Sequence, residues 1–242
     1  MSILNQQQLN NALEAMREYL SAPVGPQAEP PLLRYKAALR KRRNLIESEL
    51  CPLIAAYLND EVALAQFKSR VASINARHKI WAFKGSGQRF FNMLLNVAGD
   101  PVECDRELKA ALPPPPGEEI ASGRIERFVG YVKRVRDQWV GARRSLRQCP
   151  KIGSVLFFLS YFWQIQHFPA WPVYYPISVR RMGDLGLWRP SGDLPEDFLT
   201  FKHIQEELAA AFTEASGEPF DLVRVEGVLY HTRRPDERAS DR

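Results

Sequence analysis

Apolar residues recur at intervals of three and four along most of this chain, the spacing that places them on one face of an α-helix. The clearest stripe comprises Ile125, Phe128, Val132, Val135 and Trp139. A similar stripe precedes Pro23 and comprises Leu9, Leu13, Met16 and Leu20. The sequence contains neither βαβ alternation nor an internal repeat. This pattern predicts a mainly α protein, a multi-helical globule with little or no sheet.

Interruptions in the apolar pattern predict where further helices begin and end. A long helix is predicted from Leu32, with a break or kink at Pro52, which has no N–H to donate. Asn59 and the two acids after it are predicted to cap a helix that carries Leu64. Other helices are predicted over residues 88–97 and 103–112, from residue 153, and through Phe198 to near Gly217. A shorter element is predicted at residues 222–230.

A run of prolines at residues 113–116, followed by Gly117, cannot continue a helix and favours extended geometry. We expect it to separate an N-terminal helical lobe, residues 1–112, from a C-terminal lobe, residues 118–231. Residues 232–242 are polar and are predicted to form a tail or linker.

Composition narrows the class of protein without naming an activity. Of the 242 residues, 45% are hydrophobic and 11% aromatic, which excludes a disordered chain. The three cysteines and four histidines form no pattern typical of a metal site or a disulfide framework. The apolar run from Val155 is too short to span a membrane, and the first residues do not resemble a signal peptide. We therefore expect a cytoplasmic protein without a bound metal or cofactor.

Charge is distributed unevenly along the chain. Residues 124–151 hold nine Lys or Arg against Glu126 and Asp137, whereas residues 191–242 hold six basic and twelve acidic residues. A third segment, residues 32–46, contains basic residues and no acid. Basic helix faces suit a phosphate backbone, because each neutralised phosphate releases condensed counterions. A solvated face, or basic helices covered by the acidic C-terminal part, fits the charge equally well.

The most unusual local string is WAFKGSGQRFFN at residues 81–92. Gly85, Gly87 and Gln88 are predicted to shape a turn whose backbone N–H groups face an anion, with Lys84 and Arg89 beside it. No nucleotide-binding G-x-x-x-x-G-K-[ST] loop occurs in the chain. The alternative is a structural turn, in which the glycines allow two helices to pack while Trp81 and Phe83 lie in the core.

The string CPKIGSV at residues 149–155 resembles the hairpin of helix-hairpin-helix DNA-binding motifs. Lys151 stands where that hairpin has its first glycine. The glycosylases of this family carry an aspartate before a later helix, where this chain has Tyr175 and Pro176, and some carry a lysine near the position of Ser154. Glycosylase chemistry is therefore disfavoured.

An acidic group at Asp100, Asp105 and Glu107, with Lys109, superficially matches the pattern that metal-dependent nucleases use to hold Mg²⁺. These residues fall on a predicted exposed helix, and no strand pair is predicted to fix such ligands. Solvated side chains are the favoured interpretation.

The aromatic loop WPVYYP at residues 171–176 offers a different nucleic-acid contact. Trp171 and Tyr174 are candidates for stacking on bases, with Arg180 and Arg181 nearby for phosphates. The alternative is a proline-stiffened loop whose aromatic side chains are buried over the helix at residues 157–163.

Three strings together carry a family resemblance: FKGSGQRFFN at 83–92, LFFLSYFW at 156–163 and WPVYYP at 171–176. Their order resembles the helical N-terminal regions of bacterial restriction and anti-phage defence proteins, which precede a McrB-like GTPase/ATPase or an Mrr-type nuclease domain. The resemblance implies a non-catalytic sensing or DNA-engaging module that acts with a fused or neighbouring effector ATPase or nuclease.

The leading hypothesis is thus a DNA-binding helical module of a defence system. A protein-interaction or assembly module, including a homo-oligomer, is the alternative, and a glycosylase-like or nuclease enzyme is a further one. The predicted DNA-contacting residues are Lys84, Gly85, Gly87, Gln88, Arg89, Arg143, Arg144, Arg147, Lys151, Trp171, Tyr174, Arg180 and Arg181.

Overall fold

A computed structural model describes residues 2–21, 31–78, 83–168 and 170–231. These residues form helices joined by turns and loops, and no strand occurs among them. The prediction of a mainly α, multi-helical protein is confirmed. In chain order the α-helices are α1 (Gln6–Ser21), α2 (Pro31–Leu45), α3 (Cys51–Leu58), α4 (Leu64–His78), α5 (Ser86–Val97), α6 (Pro101–Ala111), α7 (Glu118–Gly141), α8 (Ser154–Gln166), α9 (Pro176–Asp184), α10 (Leu194–Ser216) and α11 (Leu222–His231).

The chain folds into two compact units, and their division differs from the predicted lobes. The first unit combines residues 1–40 with residues 169–242, and the second contains residues 41–168. The proline run at 113–116 therefore lies inside the second unit, where α6 and α7 pack against each other on either side of it. The polar tail at 232–242, most of the Pro-rich connector after α1, and Trp81 lie outside the described residues.

The predicted break at Pro52 takes the form of a widened helical turn. A π-helical segment, Ile46–Leu50, joins α2 to α3, and the Cys51 N–H bonds to the Ile46 carbonyl. Pro52 then falls in the first turn of α3, directly after the widened turn. The helix can therefore continue past the proline.

Asn59 performs a different role from the predicted one. It ends α3 instead of starting α4, and Asp60 follows it in the left-handed region with φ of 64°. The next helix begins only at Leu64 and has no acid in its first turn. The cap prediction was wrong because Asn59 and Asp60 end α3 instead. The left-handed position after a helix suits Asn and Asp as well as Gly.

The core of the second unit is built around α8. Residues 155–165 of this helix are buried on every side, as the apolar run predicts. The Phe158 ring packs against Phe90, Phe91 and Phe128, at centroid distances of 4.8, 5.3 and 6.1 Å. The indole N–H of Trp163 donates to the Ala111 carbonyl at 2.9 Å, so its one polar group is satisfied in the core. No helix of the described residues combines the length and the apolar character that crossing a membrane requires.

The first unit is organised around α10, which packs against α1 and α11. Its buried face follows the predicted spacing and comprises Phe198, Phe201, Ile204, Leu208 and Phe212. Asp193 caps the start of α10 by accepting the Glu196 N–H, and Gly217 ends it with φ of 70°. The shorter predicted element at 222–230 is α11, which also contacts α9.

Candidate nucleic-acid interface

Part of the basic charge on α7 is neutralised inside the second unit. Arg127 donates two hydrogen bonds to the Glu107 carboxylate, at 2.8 and 3.0 Å, and Arg134 contacts Glu103 at 2.6 Å. The Arg127 hydrogen bond holds the pKa of Glu107 below its usual range. Arg124 donates to the Pro113 carbonyl. Arg127 and Arg134 join α7 to α6, and Arg124 bonds to the loop between them, so these three cations already have partners within the second unit.

The available cations are concentrated beyond the C-terminal end of α7. We call this set the α7-end surface, and it comprises Arg143, Arg144, Arg147 and Lys151. All four are exposed, and none forms an ion pair with a carboxylate of the described residues. Two exposed apolar side chains lie close to them in the sequence, Val140 at 42% and Leu146 at 54% exposure. The surface is therefore cationic with apolar side chains interspersed.

The backbone at the end of α7 forms a Schellman motif, which satisfies the last carbonyls of a helix. The Arg143 N–H bonds to the Val140 carbonyl at 2.8 Å, and the Arg144 N–H bonds to the Trp139 carbonyl at 3.3 Å. Arg143 occupies the left-handed position of this motif with φ of 59°. Glycine is favoured there, because a Cβ is strained at positive φ. Arg143 is thus a strained, charged residue at a position where glycine would fit better.

The same motif at the end of α9 shows the ordinary choice of residues. Gly186 takes the left-handed position with φ of 72°, and the Leu187 N–H bonds to the Met182 carbonyl at 2.9 Å. Both Leu187 and Met182 are buried, which supplies the apolar contact that usually accompanies the motif. At the end of α7, arginines occupy both the glycine position and the apolar position.

Arg144 replaces that apolar contact with a cation–π contact. Its guanidinium carbon lies 4.3 Å from the centroid of the Trp139 ring. Trp139 is half-buried, and its indole N–H is buried without a hydrogen-bond partner among the described residues. The ring is therefore held in place by packing and by Arg144.

Lys84 and Arg89 are exposed around the first turn of α5, outside the α7-end surface. The Phe90 ring of α5 lies 6.4 Å from the Phe128 ring in the middle of α7. Helix α6 follows α5 in the chain and contacts Arg134, which lies nearer the end of α7. Helix α5 thus runs in the same direction as α7, and its first turn lies toward the start of α7. Because the rise is about 1.5 Å per residue, the end of α7 is roughly 20 Å beyond Phe128.

Gly87 and Gln88 have structural roles in this turn, which corrects their predicted assignment to an anion site. A Cβ on Gly87 would stand 2.3 Å from the buried Phe83 ring, so the glycine is required for packing. The N–H groups of Gln88 and Arg89 already bond to the carbonyls of Phe83 and Gly85, at 2.7 and 3.1 Å. The structural alternative for this turn is supported by Phe83, which is fully buried.

The structure also overturns the predicted stacking role of Trp171 and Tyr174. Their exposures are 4% and 8%, and their rings pack within the first unit against Phe198 and Phe201 of α10. Buried rings offer no face to a nucleobase, so the alternative of a buried aromatic loop holds. Arg180 is exposed and Arg181 half-buried on α9, also in the first unit.

Two amides that follow the glycine of the helix-hairpin-helix resemblance are occupied by backbone hydrogen bonds. The Ser154 and Val155 N–H groups bond to the carbonyls of Lys151 and Ile152, both at 3.0 Å. The segment before them is a single 3₁₀ turn, Leu146–Gln148, rather than an α-helix. Lys151 is exposed, so its charge is available for a phosphate.

The acidic group on α6 is occupied by structural contacts. Asp100 caps α6, and Asp105 accepts hydrogen bonds from Tyr57 at 2.9 Å and from Lys109 at 2.6 Å. Helix α6 is not the exposed helix that we predicted, because Cys104 and Leu108 are buried in it. Burial raises the pKa of the Cys104 thiol to about 11. With their oxygens directed to different partners, these carboxylates do not form a metal-binding arrangement.

Trp139 and its contact with Arg144 escaped the sequence analysis. Trp139 was assigned only to the apolar stripe of α7, and Arg144 only to phosphate contact. The signal was the absence of glycine directly after α7, since a left-handed residue at a helix end is usually glycine.

No family model matches this sequence, and no curated protein or solved structure shows significant similarity to it.

Proposed function

We propose that this protein is a DNA-binding helical module that contacts phosphates through the α7-end surface. The observation that carries the proposal is Arg143, a cation without a carboxylate partner among the described residues, held in a left-handed conformation that favours glycine. Residues held in such sparsely populated backbone conformations cluster at functional sites.

The chemistry of the α7-end surface suits a phosphate backbone. Its three guanidinium groups present planar sets of N–H donors, which can bind phosphate oxygens in pairs. Because no carboxylate of the described residues pairs with them, a phosphate need not displace an internal partner. Contacts of this kind fix a protein on nucleic acid without reading its sequence.

The wider role is also a proposal. We propose that the module serves a bacterial restriction or anti-phage defence system and acts with an effector ATPase or nuclease, fused or separate. This part rests on the resemblance of the three strings at 83–92, 156–163 and 171–176 to such proteins.

Binding to a labelled duplex of mixed sequence at low salt tests the proposal. The double variant Arg143→Gln/Arg144→Gln should bind about ten- to a hundredfold more weakly, because two charge-assisted contacts are lost. The matched control is Lys84→Gln/Arg89→Gln, which removes the same charge around the first turn of α5, outside the α7-end surface. Equal effects of the two double variants would show a non-specific response to net charge and would contradict the proposed site.

A protein-interaction or assembly module is the second candidate, and the exposed Val140 and Leu146 favour it. An acidic surface of another protein or of a second copy would suit the same cations. Light scattering after size exclusion distinguishes the two, because a salt-sensitive oligomer without DNA binding supports assembly.

A further inference from the structure

We infer that Trp139 is the base-stacking residue of this protein and that the ligand is an unpaired stretch of nucleic acid. In the free protein Arg144 covers the ring, and on binding it moves to a phosphate while a base takes its place. This inference rests on the proposed function and names its ligand class more closely.

The first support is the geometry of the helix end. The hydrogen bond from the Arg144 N–H to the Trp139 carbonyl fixes Arg144 directly after the Trp139 turn, which brings its guanidinium 4.3 Å from the ring centroid. Leu187 holds the equivalent position after α9 and is buried. A leucine at position 144 would keep the Trp139 ring buried, whereas an exposed arginine can move away from the ring.

The second support is the weakness of the contact between Arg144 and the Trp139 ring. Arg144 is exposed, and cation–π contacts at exposed sites are among the weaker polar contacts. A phosphate oxygen forms a charge-assisted hydrogen bond with a guanidinium and competes well for it. No carboxylate of the described residues holds Arg144 in place.

The third support is the composition of the segment that follows Trp139. Val140 and Leu146 are exposed and close in sequence to the cations, and apolar side chains suit the sugar and base edges of an unpaired strand. Proteins that bind single strands combine a basic surface with an aromatic platform, because every base has a face that stacks. A duplex keeps its bases stacked on each other and offers no such face.

The test compares an oligothymidylate of about ten nucleotides with a duplex of equal length, using the full chain. Binding of the single strand should quench tryptophan fluorescence, and Trp139→Phe should lose most of that quenching while still binding. Trp139→Leu should weaken single-strand binding about tenfold or more and duplex binding less than about threefold. Thermal melts of both variants confirm that they fold.

The outcomes separate the inference from the proposed function. Quenching that persists in Trp139→Phe, or single-strand affinity that is unchanged in folded Trp139→Leu, overturns the stacking role while the phosphate surface stands. If the wild-type protein binds neither probe at low salt, both the proposed function and this inference fail.

Discussion

Glu107 and Arg127 form a two-bond ion pair that joins α6 to α7 within the second unit. The guanidinium donates at 2.8 and 3.0 Å to a carboxylate whose side chain is only 9% exposed. The pair lies near the middle of α7 and aligns this helix with α6. Because Arg127 is paired, a count of the positive charges along α7 overstates the charge that is available to a ligand.

Breaking this pair should destabilise the protein. Glu107→Gln is expected to lower the free energy of unfolding by about 1–3 kcal/mol at neutral pH, because a hydrogen bond to a charged group is lost. Chemical denaturation measures the change. Arg106→Gln is the control, since this exposed residue approaches the same carboxylate only at 3.6 Å and should cost less than about 1 kcal/mol.

The same pair predicts a pH dependence. Arg127 depresses the pKa of Glu107 in the folded state, so its stabilisation is present above the unfolded pKa and is lost as pH falls through the folded value. The stability difference between wild type and Glu107→Gln should therefore shrink when the pH falls from 7 to below about 4. A difference that stays constant over this range would contradict the assignment.

Gly87 provides a test of the turn before α5. Gly87→Ala places a Cβ 2.3 Å from the Phe83 ring and should destabilise the fold by about 1–3 kcal/mol. Gly130→Ala is the matched control, because Gly130 lies inside α7 and its Cβ would meet nothing within 4 Å. That change should stabilise the protein by about 0.5–1 kcal/mol, since alanine is the better helix former. Equal melting temperatures for the two variants would contradict the packing role of Gly87.

The end of α7 predicts a trade-off between stability and binding. Arg143→Gly removes the strain of the left-handed position, and Arg144→Leu restores the usual apolar contact with Trp139. The double variant should raise the free energy of unfolding by about 1 kcal/mol and bind DNA about tenfold or more weakly. A variant that is both less stable and fully able to bind would assign these arginines to the fold instead.

Most of the helices could be predicted from the sequence, because burial of one face imposes the three- and four-residue spacing. The stripes at Phe128–Val135 and Phe198–Phe212 lie on α7 and α10 as predicted. The two-unit division could not be predicted, since it joins residues 1–40 to residues 169–242, which are distant in the chain. A proline run marks a local break, whereas a unit boundary depends on which distant faces pack together.

The candidate site could be predicted only in part. Arg143, Arg144, Arg147 and Lys151 are exposed as the proposal needs, but their contacts with nucleic acid remain a prediction. Trp171 and Tyr174 were chosen for their chemistry, and packing against α10 removes them. Sequence spacing cannot distinguish a buried aromatic loop from an exposed one, because proline and aromatic residues suit both.

The most direct test of the phosphate surface is the salt dependence of binding to duplex DNA. The slope of log K against log salt should be shallower by about 3–4 when Arg143, Arg144, Arg147 and Lys151 are all changed to Gln, since each phosphate contact contributes about 0.9. The control changes Lys68, Arg70, Lys84 and Arg89 to Gln, which removes the same charge elsewhere in the second unit. The account is contradicted if the first variant keeps the wild-type slope. It is also contradicted if the control variant makes the slope as shallow as the first variant does.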